Sequence, residues 1–360
     1  MKYNILLIII AFLLSFTAKA QTVFYDASPF PLLGKISDET ETRYERLPAK
    51  LNGVSRSPVW ELGKCSAGLA IRFCSDSRAI SVRWETLTDR NMNHMAPTGI
   101  KGLDLYCFEN DVWTYMNTAR PTAKKSEVTI ISNMEKKERE LMLYLPLYDG
   151  IISVEIGIDS SANIWLPKLD LPRQTKPVVA YGTSILQGGC ASRPGMAHTN
   201  ILSRRWNCEV INLGFSGNAH LDYEIAELMA ECDASLYILD FMPNVSVKQI
   251  SERTEKFYRI LRDQRPETPI IFIENPIYPH TKYDLNMQNT VREKNTALHA
   301  VFDGLKAKKE ENIWLIPSAE MIGTDGEATV DGIHFTDLGF MRYADYLYLK
   351  IQEKVLLSVL

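Results

Sequence analysis

The sequence predicts two domains: an all-β sandwich or jelly roll over residues 21–173, then a three-layer α/β/α domain with a five-stranded parallel sheet over residues 174–360. Three observations predict this. In the first half, short apolar runs follow one another with no helical period between them. After Pro172, short apolar runs alternate with longer stretches of helical spacing. The chain is also longer than a single core usually serves.

The first element is not expected to belong to the fold. Lys2 precedes an apolar run from Ile5 to Leu14, and Ala18-Lys19-Ala20 places small residues around a cleavage position. That is the layout of a secretory leader, cut after Ala20, and it directs the chain to the periplasm or the medium. The run is too short to cross a bilayer, which takes ~20 residues. No later stretch is long and apolar enough to do so, so no membrane anchor is expected in the mature chain. Removing Lys2 and Lys19 leaves 38 basic against 44 acidic side chains, a net charge of −6 where the whole chain carries −4. An acidic chain without basic clusters is a poor partner for nucleic acid.

In the β half, Gly68 to Cys74, Ala79 to Glu85 and Val128 to Ser132 read as strands. Leu141 to Leu147 and Ile151 to Ile158 flank Tyr148-Asp149-Gly150, which predicts a hairpin. Leu103 to Tyr106 reads as a strand with an alternating face, and Asp104 as a solvated edge charge. The six cysteines lack metal-ligand spacing; export would permit disulfides, in any of ~15 pairings among which the sequence does not choose, and buried free thiols are the plainer reading. Leu171 to Gln174 is the expected linker.

In the second half, five runs read as parallel strands: Val178 to Tyr181, Val210 to Leu213, Ser235 to Leu239, Ile270 to Ile273 and Ile313 to Ile316. Ser246 to Asp263 and Asn289 to Lys308 read as helices between them. Open parallel sheets gather their chemistry beyond the carboxyl ends of their strands. Four segments fall there.

Tyr181-Gly182-Thr183-Ser184 follows the first strand, where a serine hydroxyl can be exposed on a tight turn. The plain alternative is a helix-capping serine. Asn212 to Asn218 follows the second strand, and its glycines can present backbone N–H groups to an oxyanion. Asp240 to Asn244 follows the third, where Asn244 is either an amide donor or a helix cap. Asp331-Gly332-Ile333-His334 follows the fifth. An aspartate three residues before a histidine can hold Nδ1–H and leave Nε2 to accept a proton. No third ligand accompanies that pair, so neither metal nor cofactor is expected. Taken together, the four segments supply nucleophile, base, orienting acid and oxyanion donors at one rim of one sheet.

With these residues in view, the second half resembles the SGNH (GDSL-type) hydrolase superfamily over residues 175 to 355. The blocks carry over onto Ser184, Gly217, Asn244 and His334, and the acid onto Asp331. The resemblance implies a flavodoxin-like α/β/α fold and a serine esterase. In that reading the backbone N–H groups of Ser184 and Gly217 and the Asn244 amide form the oxyanion hole. The family's Gly-Asp-Ser-Leu reads Gly182-Thr183-Ser184-Ile185 here, and its Gly-x-Asn-Asp reads Met242-Pro243-Asn244-Val245. Gly102-Leu103-Asp104-Leu105-Tyr106 is similar to the signature of a β domain that precedes some of these hydrolases.

The resemblance implies a small-molecule or glycan ester as partner, with acetyl esters of carbohydrate as the expected substrate. A lysophospholipase or acetyl-lipid esterase is the alternative. A glycan-binding protein with a decayed hydrolase site is another. His94, His220, His280 and His299 show no partner in the sequence and read as surface or core residues rather than ligands; Cys190 and Arg193 follow the nucleophile turn, placed either to line the pocket or to serve the structure, and Tyr278 and His280 follow the fourth strand, placed to border the cleft.

Overall fold

A computed structural model describes residues 21–355. The expected leader, with its cut after Ala20, lies outside the described residues.

The first half is built from two antiparallel sheets. One runs β1 (Thr22–Asp26), β9 (Ile151–Asp159), β4 (Ile80–Thr86), β7 (Lys125–Ile131). The other runs β10 (Ile164–Trp165), β3 (Ala70–Ser75), β8 (Arg139–Tyr144), β5 (Leu103–Glu109), β6 (Val112–Ala119), with β2 (Leu32–Leu33) also on β3. Strand alternation explains the packing: in β4, Val82 and Trp84 are buried while Arg83 points out and covers the Phe24 ring. Phe73, Leu105 and Leu143 of one sheet and Val82, Trp84 and Ile156 of the other share a single core. Short helices α1 (Ser57–Gly63) and α2 (Pro97–Lys101) lie between strands.

The expected hairpin around Asp149 is not one. β8 and β9 belong to different sheets, so the turn is a corner between them. Its backbone is engaged elsewhere: Leu147 and Tyr148 N–H bond the Gly99 and Ile100 carbonyls. The buried Asp149 carboxylate accepts N–H groups from Thr88, Arg90 and Gly150. A hairpin signal reads only turn propensity, and these long-range acceptors override it.

The second half is a parallel sheet in the order β12 (Val210–Gly214), β11 (Val178–Gly182), β13 (Leu236–Asp240), β14 (Ile270–Ile273), β15 (Ile313–Ile316). β11, β12 and β13 are buried on both faces, as sheets covered by helices must be. Val178 and Ala180 face one core and Val179 and Tyr181 the other. Among the described residues six helices complete it: α3 (Ser184–Gln187), α4 (His198–Trp206), α5 (Tyr223–Glu231), α6 (Val247–Gln264), α7 (Leu285–Ala307) and α8 (Asp337–Lys354). α4 and α8 cover the first face; α5, α6 and much of α7 cover the second.

All six cysteines are free, five of them buried and Cys232 half-buried. Among the described residues, no helix is long and apolar enough to cross a membrane.

Candidate active site

β11 ends at Gly182, where a Cβ would meet the Asp240 carbonyl oxygen at 2.5 Å. The chain turns sharply there into α3. Thr183 caps that helix, its hydroxyl accepting the Ile185 N–H at 3.3 Å. Thr183 takes the capping task that the sequence alone left open to Ser184. Ser184 is therefore the first helical residue, with its hydroxyl free for another partner and its N–H among those a helix leaves without an internal acceptor. Its carbonyl is fixed by Gly189 N–H at 2.7 Å and the Tyr148 hydroxyl at 3.2 Å.

That other partner is His334. Ser184 Oγ lies 3.0 Å from His334 Nε2, across 150 positions of sequence. On the far side of the ring, His334 Nδ1 lies 2.7 Å from Asp331 Oδ2. A carboxylate only accepts, so Nδ1 carries the proton and Nε2 offers its lone pair to the serine hydroxyl. Asp331 also accepts the Ile333 and His334 N–H groups through Oδ1 at 3.0 and 2.8 Å. It thus closes a turn and orients the ring at once. Burial raises the Asp331 pKa, but the His334 and Ile333 hydrogen bonds outweigh it and hold the carboxyl at about 2.

Gly217 and Asn244, the expected oxyanion donors, line the same cleft as Ser184. Gly217 has a φ of +68°, a conformation that favours glycine, and its N–H meets no acceptor among the described residues. Asn244 stands on a 3₁₀ turn, Met242–Asn244, and it is Ser246 that caps α6. Its Oδ1 accepts Ala219 N–H at 3.3 Å, which orients Nδ2 as a donor with no protein acceptor among the described residues. Gln187 ties α3 to the glycine loop by accepting Ser216 N–H at 3.0 Å. Lys294 of α7 donates to the Met242 and Pro243 carbonyls at 3.3 and 3.2 Å and so braces the turn under Asn244. Ser184, Gly217, Asn244, His334 and Tyr278 line one cleft of about 370 Å³.

A larger cavity, about 610 Å³, lies along α7 beside Glu274 and His299. There the Ser318 hydroxyl and the His299 ring both bond Glu274, at 2.7 and 2.5 Å. Among the described residues His299 and Ser318 make no hydrogen bond to each other; both are bound to Glu274 instead.

The profile of the GDSL-like lipase/acylhydrolase family matches residues 175–352. That of the Gly-x-Asp-Leu-Tyr N-terminus of SGNH-hydrolase-type esterases matches residues 22–164. A solved Bacteroides ovatus structure described as a GDSL-like lipase is 36% identical, with a TM-score of 0.89 over 92% of this chain and 98% of that one. The chain belongs to the GDSL-like lipase/acylhydrolase family.

Two more distant structures share the fold. A salicylyl-acyltransferase from a tetracycline biosynthetic pathway is 16% identical, with a TM-score of 0.76 over 96% of this chain and all of that one (100%). A family two carbohydrate esterase from Clostridium thermocellum, in complex with cellohexaose, is 13% identical, with a TM-score of 0.58 over 82% of this chain and 94% of that one. No match is found among curated proteins. Membership makes the protein an esterase.

Within this GDSL-family esterase, several residues read differently once folded. Asp104 is not a solvated edge charge. It is fully buried, pairs with Arg193 at 2.8 Å, and accepts the Gly195 N–H and the Thr118 hydroxyl at 2.8 and 2.7 Å. Tyr106 accepts a second Arg193 hydrogen bond at 2.7 Å. The Asp and Tyr of the β-domain signature therefore clamp the loop that follows α3. A strand pattern cannot reveal this, because the partner lies on the other domain. Arg46 does the same for the second block: its buried guanidinium donates to the Asn212 and Gly214 carbonyls, each at 2.9 Å.

His299 has Glu274 as partner, and His280 stacks on Tyr278 with ring centroids 5.9 Å apart. Tyr278 lines the cleft as expected, whereas His280, Cys190 and Arg193 do not. His220 is half-buried in the loop after β12. His94 comes from the β domain and lies beside His334, ring centroids 5.5 Å apart. Among the described residues, His94, Cys190 and His334 form a cluster of potential metal ligands, the third donor that the sequence did not show.

Proposed function

We propose that this esterase removes short acyl groups, chiefly acetyl, from carbohydrate by way of an acyl-enzyme on Ser184. The observation that carries this reading is the line of contacts from Asp331 Oδ2 through His334 to Ser184 Oγ, 2.7 and 3.0 Å, opening on a small cleft.

In the first step, His334 Nε2 takes the Ser184 hydroxyl proton as Oγ bonds the ester carbonyl carbon. The carbonyl electrons move to oxygen, and this oxyanion is received by the Ser184 and Gly217 N–H groups and the Asn244 amide. The C–O bond to the alcohol then breaks, and the leaving oxygen takes the proton back from His334. Water repeats the sequence, freeing the acid and restoring Ser184. Asp331 keeps the imidazole in the useful tautomer and stabilises its transient cation. Every charge in the cycle is met by the chain's own groups.

The substrate class rests on two supports. The cleft of about 370 Å³ suits a small acyl group. A carbohydrate esterase holding cellohexaose shares the fold. Export through the N-terminal leader belongs to the same reading and gives the enzyme access to glycan outside the cytoplasm.

The test compares kcat/KM on p-nitrophenyl esters of rising chain length, then acetate release from acetylated xylan against fatty-acid release from lysophosphatidylcholine. The reading expects a maximum at acetyl and release from xylan. A maximum at long acyl chains with turnover of the lysolipid alone would assign a lipid substrate instead. No burst and no turnover on any ester would leave a binding protein.

A further inference from the structure

His334 has a second set of neighbours that acyl transfer does not use. His94 arrives from the loop between β4 and α2 and is half-buried. Cys190 arrives from the loop after α3, with its thiol buried and its backbone at φ 72°, a conformation that L side chains rarely adopt. One donor atom from each of His94, Cys190 and His334 lies within 4.8 Å of the other two. Neither His94 nor Cys190 lines the cleft that holds Ser184.

Two nitrogens and one sulfur gathered within 4.8 Å of one another are the donor set of a transition-metal site with an open fourth position. Ideal Zn²⁺ bonds of ~2.0–2.3 Å set tetrahedral donors roughly 3.3–3.7 Å apart, so the three need to close by about 1 Å. Supporting acceptors are already in place. Asp331 holds Nδ1–H of His334 at 2.7 Å, and Asn93 Oδ1 lies 2.9 Å from His94 Nδ1. Each fixes a tautomer that leaves Nε2 as the ligating atom, the arrangement common around protein-bound zinc.

We propose that His94, Cys190 and His334 form an inhibitory Zn²⁺ site shared between the two domains. Binding exchanges the Ser184–His334 hydrogen bond for a His334–metal bond, and the Cys190 thiol releases its proton to solvent as the Zn–S bond forms. His334 then has no lone pair for Ser184, and the esterase is off. Removing the metal restores it. Imidazole and thiolate favour Zn²⁺ over Ca²⁺ and Mg²⁺, which take oxygen ligands. Binding rests on the three donors alone; the inhibition rests on His334 being the base, so the two are read separately.

The test uses the full chain. Equilibrium dialysis is expected to find one tightly held Zn²⁺ per chain in the parent and in Ser184→Ala, and no such Ca²⁺ or Mg²⁺. Turnover of p-nitrophenyl acetate falls in step with Zn²⁺ occupancy and returns with a chelator. His94→Ala and Cys190→Ala keep their metal-free turnover, while the Zn²⁺ concentration for half-inhibition rises at least tenfold. A Co²⁺ derivative shows thiolate charge-transfer absorption that Cys190→Ala lacks. If Cys190→Ala does not fold, the half-exposed His94→Ala and the parent's cobalt spectrum carry the same decision. Absence of bound Zn²⁺, absence of the thiolate band, or equal Zn²⁺ sensitivity in His94→Ala and parent would overturn the site. Tight binding without inhibition would overturn its inhibitory role.

Discussion

Asp331→Asn separates what the acid holds from what it does. Asp331 Oδ1 accepts two backbone N–H groups at 3.0 and 2.8 Å, and an amide oxygen in its place can keep both. The turn should survive. The other atom changes from acceptor to donor, 2.7 Å from His334 Nδ1. Two N–H groups cannot share a hydrogen bond, so the imidazole proton moves to Nε2. Nε2–H then faces Ser184 Oγ at 3.0 Å and can no longer accept its proton. The same tautomer switch in a Ser-His-Asp protease costs ~10⁴ in kcat. That corresponds to about 5.4 kcal/mol on the barrier. The assay is steady-state hydrolysis of p-nitrophenyl acetate beside a thermal melt. An unchanged melt with kcat within tenfold of the parent would refute the tautomer argument.

Further expectations follow from the same contacts. Asn244→Ala removes the amide proposed as an oxyanion donor, and kcat should fall ~10²–10³-fold with little change in KM; a loss confined to KM would make Asn244 a substrate-binding group only. Asp104→Ala strands the Arg193 guanidinium, whose side chain is 20% exposed, so a urea titration should show a loss near the low end of ~3–5 kcal/mol; under ~1 kcal/mol would mean the interdomain clamp is slack. His198 is fully buried, and burial alone lowers its pKa to about 3 from 6.5. Between those values the unfolded chain binds a proton that the native chain does not. Stability therefore falls as pH drops below ~6.5, by up to ~1.4 kcal/mol per unit. Denaturation midpoints at pH 7 and pH 5 should differ accordingly in the parent and less in His198→Asn; equal slopes would contradict the assignment.

Much of this could be read before any coordinates. The five parallel strands announce themselves as short apolar runs, and the candidate groups sit at their carboxyl ends because the sheet places them there. Asp331 and His334 are local in sequence, so their pairing follows from spacing. Ser184 and His334 are not, and only the complete set of roles pointed to their meeting. What stayed hidden depended on distant partners. Thr183 could not be distinguished from Ser184 as the cap, since both have hydroxyls. Asp149 sits in a run that looks like a hairpin until its carboxylate finds Thr88 and Arg90. Asp104 alternates like a surface residue until Arg193 arrives from the other domain. His94 and Cys190 have no shared pattern at all, and the fold alone brings them to His334.

The central claim is that one hydroxyl, that of Ser184, carries the acyl group. Reaction with a fluorophosphonate followed by intact mass and peptide mapping tests it most directly. The account predicts a single adduct per chain on the peptide holding Ser184, slowed in His334→Ala and absent in Ser184→Ala, which also loses ester hydrolysis. A stoichiometric adduct on any other residue, or undiminished hydrolysis by Ser184→Ala, would contradict it.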